Sequence, residues 1–151
     1  MADALSRMGF RVIHLSKLVV EERLYRAYDK RRQAYIIDEE RLAERMRKLA
    51  DIDGLVIVEG IGAEALPPDI VSLCIVLTCE PFALRERLER RNFPPEKIEE
   101  NLEAERFGII LGEAISNYGS SKVIVIDTTY REISDIVGEI LDELKKRGII
   151  Q

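Results

Sequence analysis

Leu55-Val56-Ile57-Val58 is a continuous apolar run that ends abruptly in Glu59-Gly60. A carboxylate directly after a buried strand is placed to hold Mg2+, often through water, while phosphate is transferred. The alternative is a strand-end glutamate that faces solvent or caps the next turn. Downstream, Arg85, Arg87, Arg90 and Arg91 precede the break Asn92-Phe93-Pro94-Pro95, and a second helical stretch follows from Glu96. Guanidinium groups carried on such a hinge can swing over a nucleotide and offset the charge of a transferring phosphate. The plainer reading makes Arg90 and Arg91 a solvated pair that complements a helix C-terminus. His14, the single histidine, closes a short apolar run two residues before Ser16. It reads as a strand-end residue.

These groups need a scaffold, and composition bounds it. The chain has 151 residues, 46% of them hydrophobic, enough for one domain spanning 1–151 with a substantial core. A formal net charge of −5 with 34% charged residues gives no overall pull toward nucleic acid or a membrane. Cys74 and Cys79 have no CxxC spacing and no histidine cluster to complete a metal site. They read as buried reduced thiols, which points to a cytoplasmic location. No apolar run is long enough to span a bilayer, and the start lacks the pattern of a signal peptide.

Short apolar runs alternate with longer amphipathic stretches. Ala2 to Met8 reads as the end of a helix stopped at Gly9, and Arg11 to Leu15 as a strand. Leu18 to Arg32 reads as partly helical and Gln33 to Ile37 as a connection. Asp38 is placed to cap a helix carrying Leu42, Met46 and Leu49, with Arg45, Arg47 and Lys48 toward its negative end. Leu55 to Val58 and Val71 to Leu77 read as strands buried on both faces. Pro81 opens a helix; a further helix runs from Ile98 through Ile115; Lys122 to Ile126 forms the last strand. Thr129-Tyr130-Arg131-Glu132 matches a capping box ahead of a final helix with Ile133, Ile136, Val137, Ile140, Leu141 and Leu144 on one side. This alternation predicts an α/β domain with a parallel sheet covered on both faces. Ligands in such a sheet bind beyond the carboxyl ends of strands.

The ordered set Asp38-Glu39-Glu40-Arg41, Val56-Ile57-Val58-Glu59-Gly60, Arg87-Leu88-Glu89-Arg90-Arg91-Asn92-Phe93 and Glu96-Lys97-Ile98-Glu99-Glu100-Asn101 resembles the CINAP-like adenylate kinase isoenzyme 6 family along essentially the whole chain. The resemblance implies a P-loop NTPase-like, three-layer fold of the nucleoside monophosphate kinase type. It also implies phosphate transfer from ATP to AMP or a related acceptor with Mg2+, ATPase activity in small-ribosomal-subunit maturation, and a small-subunit ribosomal protein as partner. Residues 14–37 would form the acceptor region, with His14, Ser16, Tyr28, Ile37 and Asp38 about the nucleoside monophosphate. Residues 90–100 would form a lid. Glu59 would place Mg2+ through water, and Arg91 would close over the ATP phosphates.

The family begins with a strand running into GxxxxGK[ST], whose amides and lysine hold the phosphates. None of the 9 glycines here sits in such a pattern. By resemblance the sheet order is 2-3-1-4-5, with the first, central strand missing before Ala2. The expectation is therefore a gap beside the Leu55 and Val71 strands, closed by their direct pairing, filled by a neighbouring chain, or left as a marginally stable fold. Ile61 stands where the family pattern has a histidine, and isoleucine relays no proton. A second function class follows from these departures, a catalytically inactive interaction module built on a kinase fold.

Overall fold

Helices and strands alternate along the chain, and the computed structural model describes them for residues 1–52 and 54–151. The order is α1 (Ala2–Arg7), β1 (Arg11–His14), α2 (Leu15–Glu21), β2 (Tyr25–Asp29), β3 (Ala34–Ile37), α3 (Glu39–Ala50) and β4 (Val56–Glu59). Two short 3-10 turns lead to β5 (Cys74–Thr78), followed by α4 (Pro81–Arg90), α5 (Pro95–Arg106), α6 (Ile109–Tyr118), β6 (Val123–Asp127) and α7 (Ile133–Lys146). Among the described residues no helix is long and apolar enough to cross a membrane.

β1 and β4 pair in parallel from Arg11↔Val56 to His14↔Glu59, and β5 and β6 from Cys74↔Val123 to Thr78↔Asp127. Alternate residues of these strands face two layers, as the period of two requires. Ile13, Val58, Cys74 and Val76 pack toward Leu15 and Val19 of α2, Leu42, Met46 and Leu49 of α3, and Ala114 and Tyr118 of α6. Leu55, Leu73, Ile75 and Ile124 pack toward Ile136, Ile140 and Leu144 of α7. The result is the α/β/α layering expected from the sequence. Both cysteines are free, and burial pushes the Cys74 thiol up.

The strands do not join into one sheet. Among the described residues β4 pairs only with β1 and β5 only with β6, and a cavity of about 1240 Å3 lies between β4 and β5. Direct pairing of β4 with β5 is therefore not what the chain does. The expected burial of these strands on both faces also fails in part. Every residue of β4 is only half-buried, and Leu77 of β5 is 42% exposed, because these edges front the cavity.

Four local expectations need correction. The stretch read as partly helical from Leu18 to Arg32 leaves the helix at Glu21, where Arg23 takes φ +54° and Leu24 N–H reaches back to Val19 O. That six-to-one closure terminates a helix as a glycine would. Gln33 to Ile37 is not a simple connection: Ala34–Ile37 is a strand, antiparallel to β2. The Tyr25 and Tyr35 rings meet at 4.4 Å between centroids, and Tyr28 and Tyr35 at 4.9 Å, cross-strand contacts that outweigh the surrounding charge. The long helix from Ile98 to Ile115 is two helices, divided at Gly108 with φ +62°. The capping box is also displaced. Glu132 is the cap residue of α7 and makes no side-chain cap bond, while Thr129 Oγ1 accepts from Glu80 N–H at 2.8 Å. Asp38 does cap α3, accepting from Arg41 N–H at 3.2 Å.

Candidate functional site

Parallel pairing places His14 and Glu59 side by side at the carboxyl ends of β1 and β4. His14 Nδ1 lies 2.6 Å from Glu59 Oε1, with both side chains about two-fifths exposed, 39% and 43%. The ionised carboxylate only accepts, so Nδ1 donates and fixes the carboxylate's direction. Asp3 Oδ1 stands 3.9 Å from the other ring nitrogen.

The turn after Glu59 is shaped by Leu15, which starts α2 directly after His14 and is fully buried. Gly60 and Gly62 have φ +127° and +106°, and a Cβ on Gly62 would come within 3.1 Å of Leu15 Cδ2 and 3.4 Å of Ile37 Cδ1. Only glycine combines that backbone with so close an approach. Ser16 is exposed on the first turn of α2, its amide close to Gly60. His14, Ser16, Ile37 and Glu59 are thus drawn about one strand-tip turn. Ile37 contributes packing, and the Asp38 carboxylate caps α3.

Tyr28 sits further out on the β2–β3 hairpin, nearly half exposed. Asp29 Oδ1 accepts from the Arg31 and Arg32 amides and closes the hairpin turn. Arg31 and Arg32 then reach Glu96 at 3.3 Å and Glu100 at 3.2 Å, tying the hairpin to α5. These pairs are exposed and contribute little individually, but they bridge the acceptor and lid regions expected from the sequence.

Arg91 is the C-terminal cap residue of α4, with its guanidinium 5.0 Å from the Phe93 ring centroid. It lies outside the lining of the β4–β5 cavity, so the structure does not bring it beside Glu59. Lys97, also 5.0 Å from the Phe93 ring, does line that cavity together with Glu59, Glu100 and Asn101. The sequence placed Lys97 inside the Glu96–Asn101 motif but assigned it no role. A further signal was its place on the helix after the Pro94-Pro95 break, one turn before Asn101. Arg87, read from the sequence among the hinge arginines that swing over a nucleotide, is turned elsewhere: it donates to Thr128 Oγ1 at 2.9 Å and Thr128 O at 2.8 Å, locking α4 to the end of β6. At that end Asp127 is held below the usual carboxylate range by hydrogen bonds from the Thr129 amide and hydroxyl.

Behind the site, Tyr118 fixes the loop that follows β4. Its hydroxyl donates to Ala63 O at 2.5 Å and accepts from Leu66 N–H at 3.0 Å. Burial, the largest cause, pushes the phenol from its ordinary 10.0 up to about 12. A phenol whose folded value is raised stabilises the fold fully below pH 10, and that contribution is lost as pH climbs through 12. Tyr118→Phe is expected to cost about 1–3 kcal/mol at pH 8, because Leu66 N–H is left unpartnered, and to shrink the loss of stability between pH 8 and pH 11. Urea unfolding at both values checks this.

The family model described as "AAA domain" matches residues 1–108. A Methanocaldococcus jannaschii protein named "Putative adenylate kinase" is 34% identical over 148 residues, covering 95% of this chain and 79% of the relative. A Saccharolobus solfataricus protein of the same name is 36% identical, with 90% and 71% covered. One from Archaeoglobus fulgidus is 38% identical, with 90% and 69% covered.

Proposed function

Since this chain belongs to the AAA domain family and to the family of the three relatives above, we propose that it is a nucleoside monophosphate kinase of the adenylate kinase type. The observation that carries this reading is the His14–Glu59 pair at the strand tips, 2.6 Å apart beside the β2–β3 hairpin. In the reaction an acceptor phosphate oxygen attacks the γ-phosphorus of ATP in line, and ADP leaves with the bridging electron pair. The protein positions both nucleotides and offsets their charge. The hairpin with Tyr28, together with His14, Ser16 and the backbone at Ile37 and Asp38, forms the acceptor side.

Mg2+ fits the donor set. Among the described residues no group of three or more His, Cys, Asp or Glu converges, and Mg2+ needs only one or two carboxylates beside phosphates and water. Glu59 would hold it through water, and the ion would neutralise charge on the transferring phosphate. His14 keeps the carboxylate aimed. Arg91 and Lys97 flank Phe93 and supply cations on the lid side. The ATPase branch in small-subunit maturation, with a ribosomal protein as partner, rests on the family resemblance alone, and a cytoplasmic location on the two free thiols.

A second reading, the inactive interaction module, is favoured by Ile61, 71% exposed on the turn after Glu59 and without a proton to relay. Calorimetry on the chain separates the two. The acceptor side lies within these residues, whereas the GxxxxGK[ST] pattern does not. AMP is expected to bind, Tyr28→Ala to weaken it about tenfold, and Mg-ATP to give no measurable heat. Silence toward both nucleotides supports the module; tight Mg-ATP binding means that the triphosphate site is elsewhere.

A further inference from the structure

β6 lies at the rim of its sheet. Among the described residues it pairs only with β5, and Thr128 N–H continues that ladder to Thr78 O at 2.8 Å. Backbone groups of successive strand residues point alternately to the two sides, so Ile124 and Ile126 turn toward β5 while Val123, Val125 and Asp127 present their amides and carbonyls outward. This outer edge reads Val-Ile-Val-Ile-Asp, without the lysine, proline or bulge that usually keeps an edge from pairing. Val125, at its centre, is 47% exposed.

Two arginines stand at the ends of the edge instead. Arg131 Nη1 donates to Asp127 O at 3.1 Å and is held by Glu139 Oε2 at 2.8 Å. Arg147 Nη1 donates to Ser121 O at 2.7 Å, with its Nε on Glu143 Oε2 at 3.2 Å. Glu139 and Glu143 lie one turn apart on α7, so one side of that helix anchors both guanidinium groups. Ser121 and Asp127 are separated by about 20 Å of extended chain. Between them nothing among the described residues bonds to the outward groups of Val123 and Val125.

Symmetry and charge decide what fits. A two-fold axis normal to the sheet through Val125 sets β6 antiparallel to the β6 of a second copy, with Val125 opposite its equivalent and Val123 opposite Asp127. All three are outward residues, so each pair can exchange two hydrogen bonds. The layers also stay matched: Val123 faces the α6 side and Ile124 and Ile126 the α7 side in both copies. At the start of the strand stand Lys122 and, through the Arg147 tie to Ser121, the basic end of α7 with Lys145 and Lys146. At its finish stand Asp127 and Glu132, where the second copy's basic start would lie. That register needs Asp127 O as an acceptor, and Arg131 covers it.

We infer that the outer edge of β6 is a self-association surface whose occupant is a second copy of this chain, paired antiparallel about Val125, and that Arg131 and Arg147 hold it shut. Displacing the two guanidinium groups joins the β5-β6 pairs of two copies into one four-stranded sheet and covers Val125.

Amide hydrogen exchange and light scattering on the whole chain test this. In the intact chain Val123 and Val125 are expected to exchange freely. Arg131→Ala combined with Arg147→Ala is expected to double the particle mass and to slow those two amides by about tenfold or more. Val125→Pro added to that pair removes a donor that β5 does not use, and is expected to restore the original mass. Glu139→Gln combined with Glu143→Gln, at two part-exposed positions, keeps the arginines but loosens them, and is expected to move the same equilibrium part of the way without touching the core. Protected Val123 and Val125 amides in the intact chain overturn the inference, as do edge amides that still exchange freely in both kinds of variant. A dimer that survives Val125→Pro puts the contact elsewhere and overturns it too.

Discussion

Leu15→Ala is expected to destabilise the fold by about 2–5 kcal/mol, read as a fall in the urea midpoint with the slope unchanged. Leu15 is fully buried, and its side chain supports the turn through Gly60 and Gly62 on one side and the α3 layer on the other. Truncation removes apolar contact and leaves a void under a turn whose two positive-φ glycines have no side chains to fill it. A domain of this size holds only about 5–15 kcal/mol in total, so this one change takes a large share. Leu15→Met, which conserves volume, is expected to cost less than about 1.5 kcal/mol. If both variants unfold alike, the packing account of the strand-tip turn fails. A smaller companion effect is expected at the site: with the turn loosened, His14 and Glu59 lose their fixed separation, and AMP affinity drops along with stability.

Fused behind an apolar strand and a GxxxxGK[ST] loop, the chain is expected to catalyse Mg2+-dependent phosphate transfer from ATP to AMP. In that fusion Glu59→Gln is expected to lower turnover by about 100- to 1000-fold, the usual effect of removing one preorganised electrostatic group. His14→Ala, which leaves the carboxylate in place but unaimed, is expected to cost about tenfold, chiefly in the Mg2+ concentration needed for half-maximal rate. The two substitutions therefore differ in kind as well as size: one removes a donor oxygen, the other releases its orientation. A Glu59→Gln fusion as active as its parent would show that the metal is held elsewhere. Were the parent fusion to bind both nucleotides yet transfer nothing, Ile61→His is the next variant to try, because Ile61 is exposed beside the proposed reaction centre.

Features set by neighbours a few positions away were legible in the amino-acid order. Asp38 caps α3 because a carboxylate followed by two glutamates at a helix start satisfies free amides and opposes the positive end of the dipole. The apolar runs around residues 56–58 and 74–77 form strands, and the stripe from Ile136 to Leu144 forms the buried side of α7. Where a local pattern competed with a longer-range contact, the reading failed. The charge of residues 21–33 masked a hairpin held by tilted tyrosine pairs, and Thr129 left its expected cap for the Glu80 amide.

From sequence alone, Glu59 was recoverable as a candidate because a carboxylate that ends a buried strand has to sit at the strand tip. That His14 stands against it was not, since the two are 45 positions apart and meet only through the register of β1 on β4. Nor does helical spacing tell which cation turns inward: Arg87 clamps Thr128, Lys97 faces the cavity, and Arg91 rests on Phe93 outside it. Composition and periodicity thus determined the α/β layering and the element types outside the β2–β3 hairpin, because helix and strand preferences and capping act over a single turn. Tertiary structure decided the pairing of strands, the site contacts and the open cleft, because these depend on which edges and faces meet when distant segments compete for the same core.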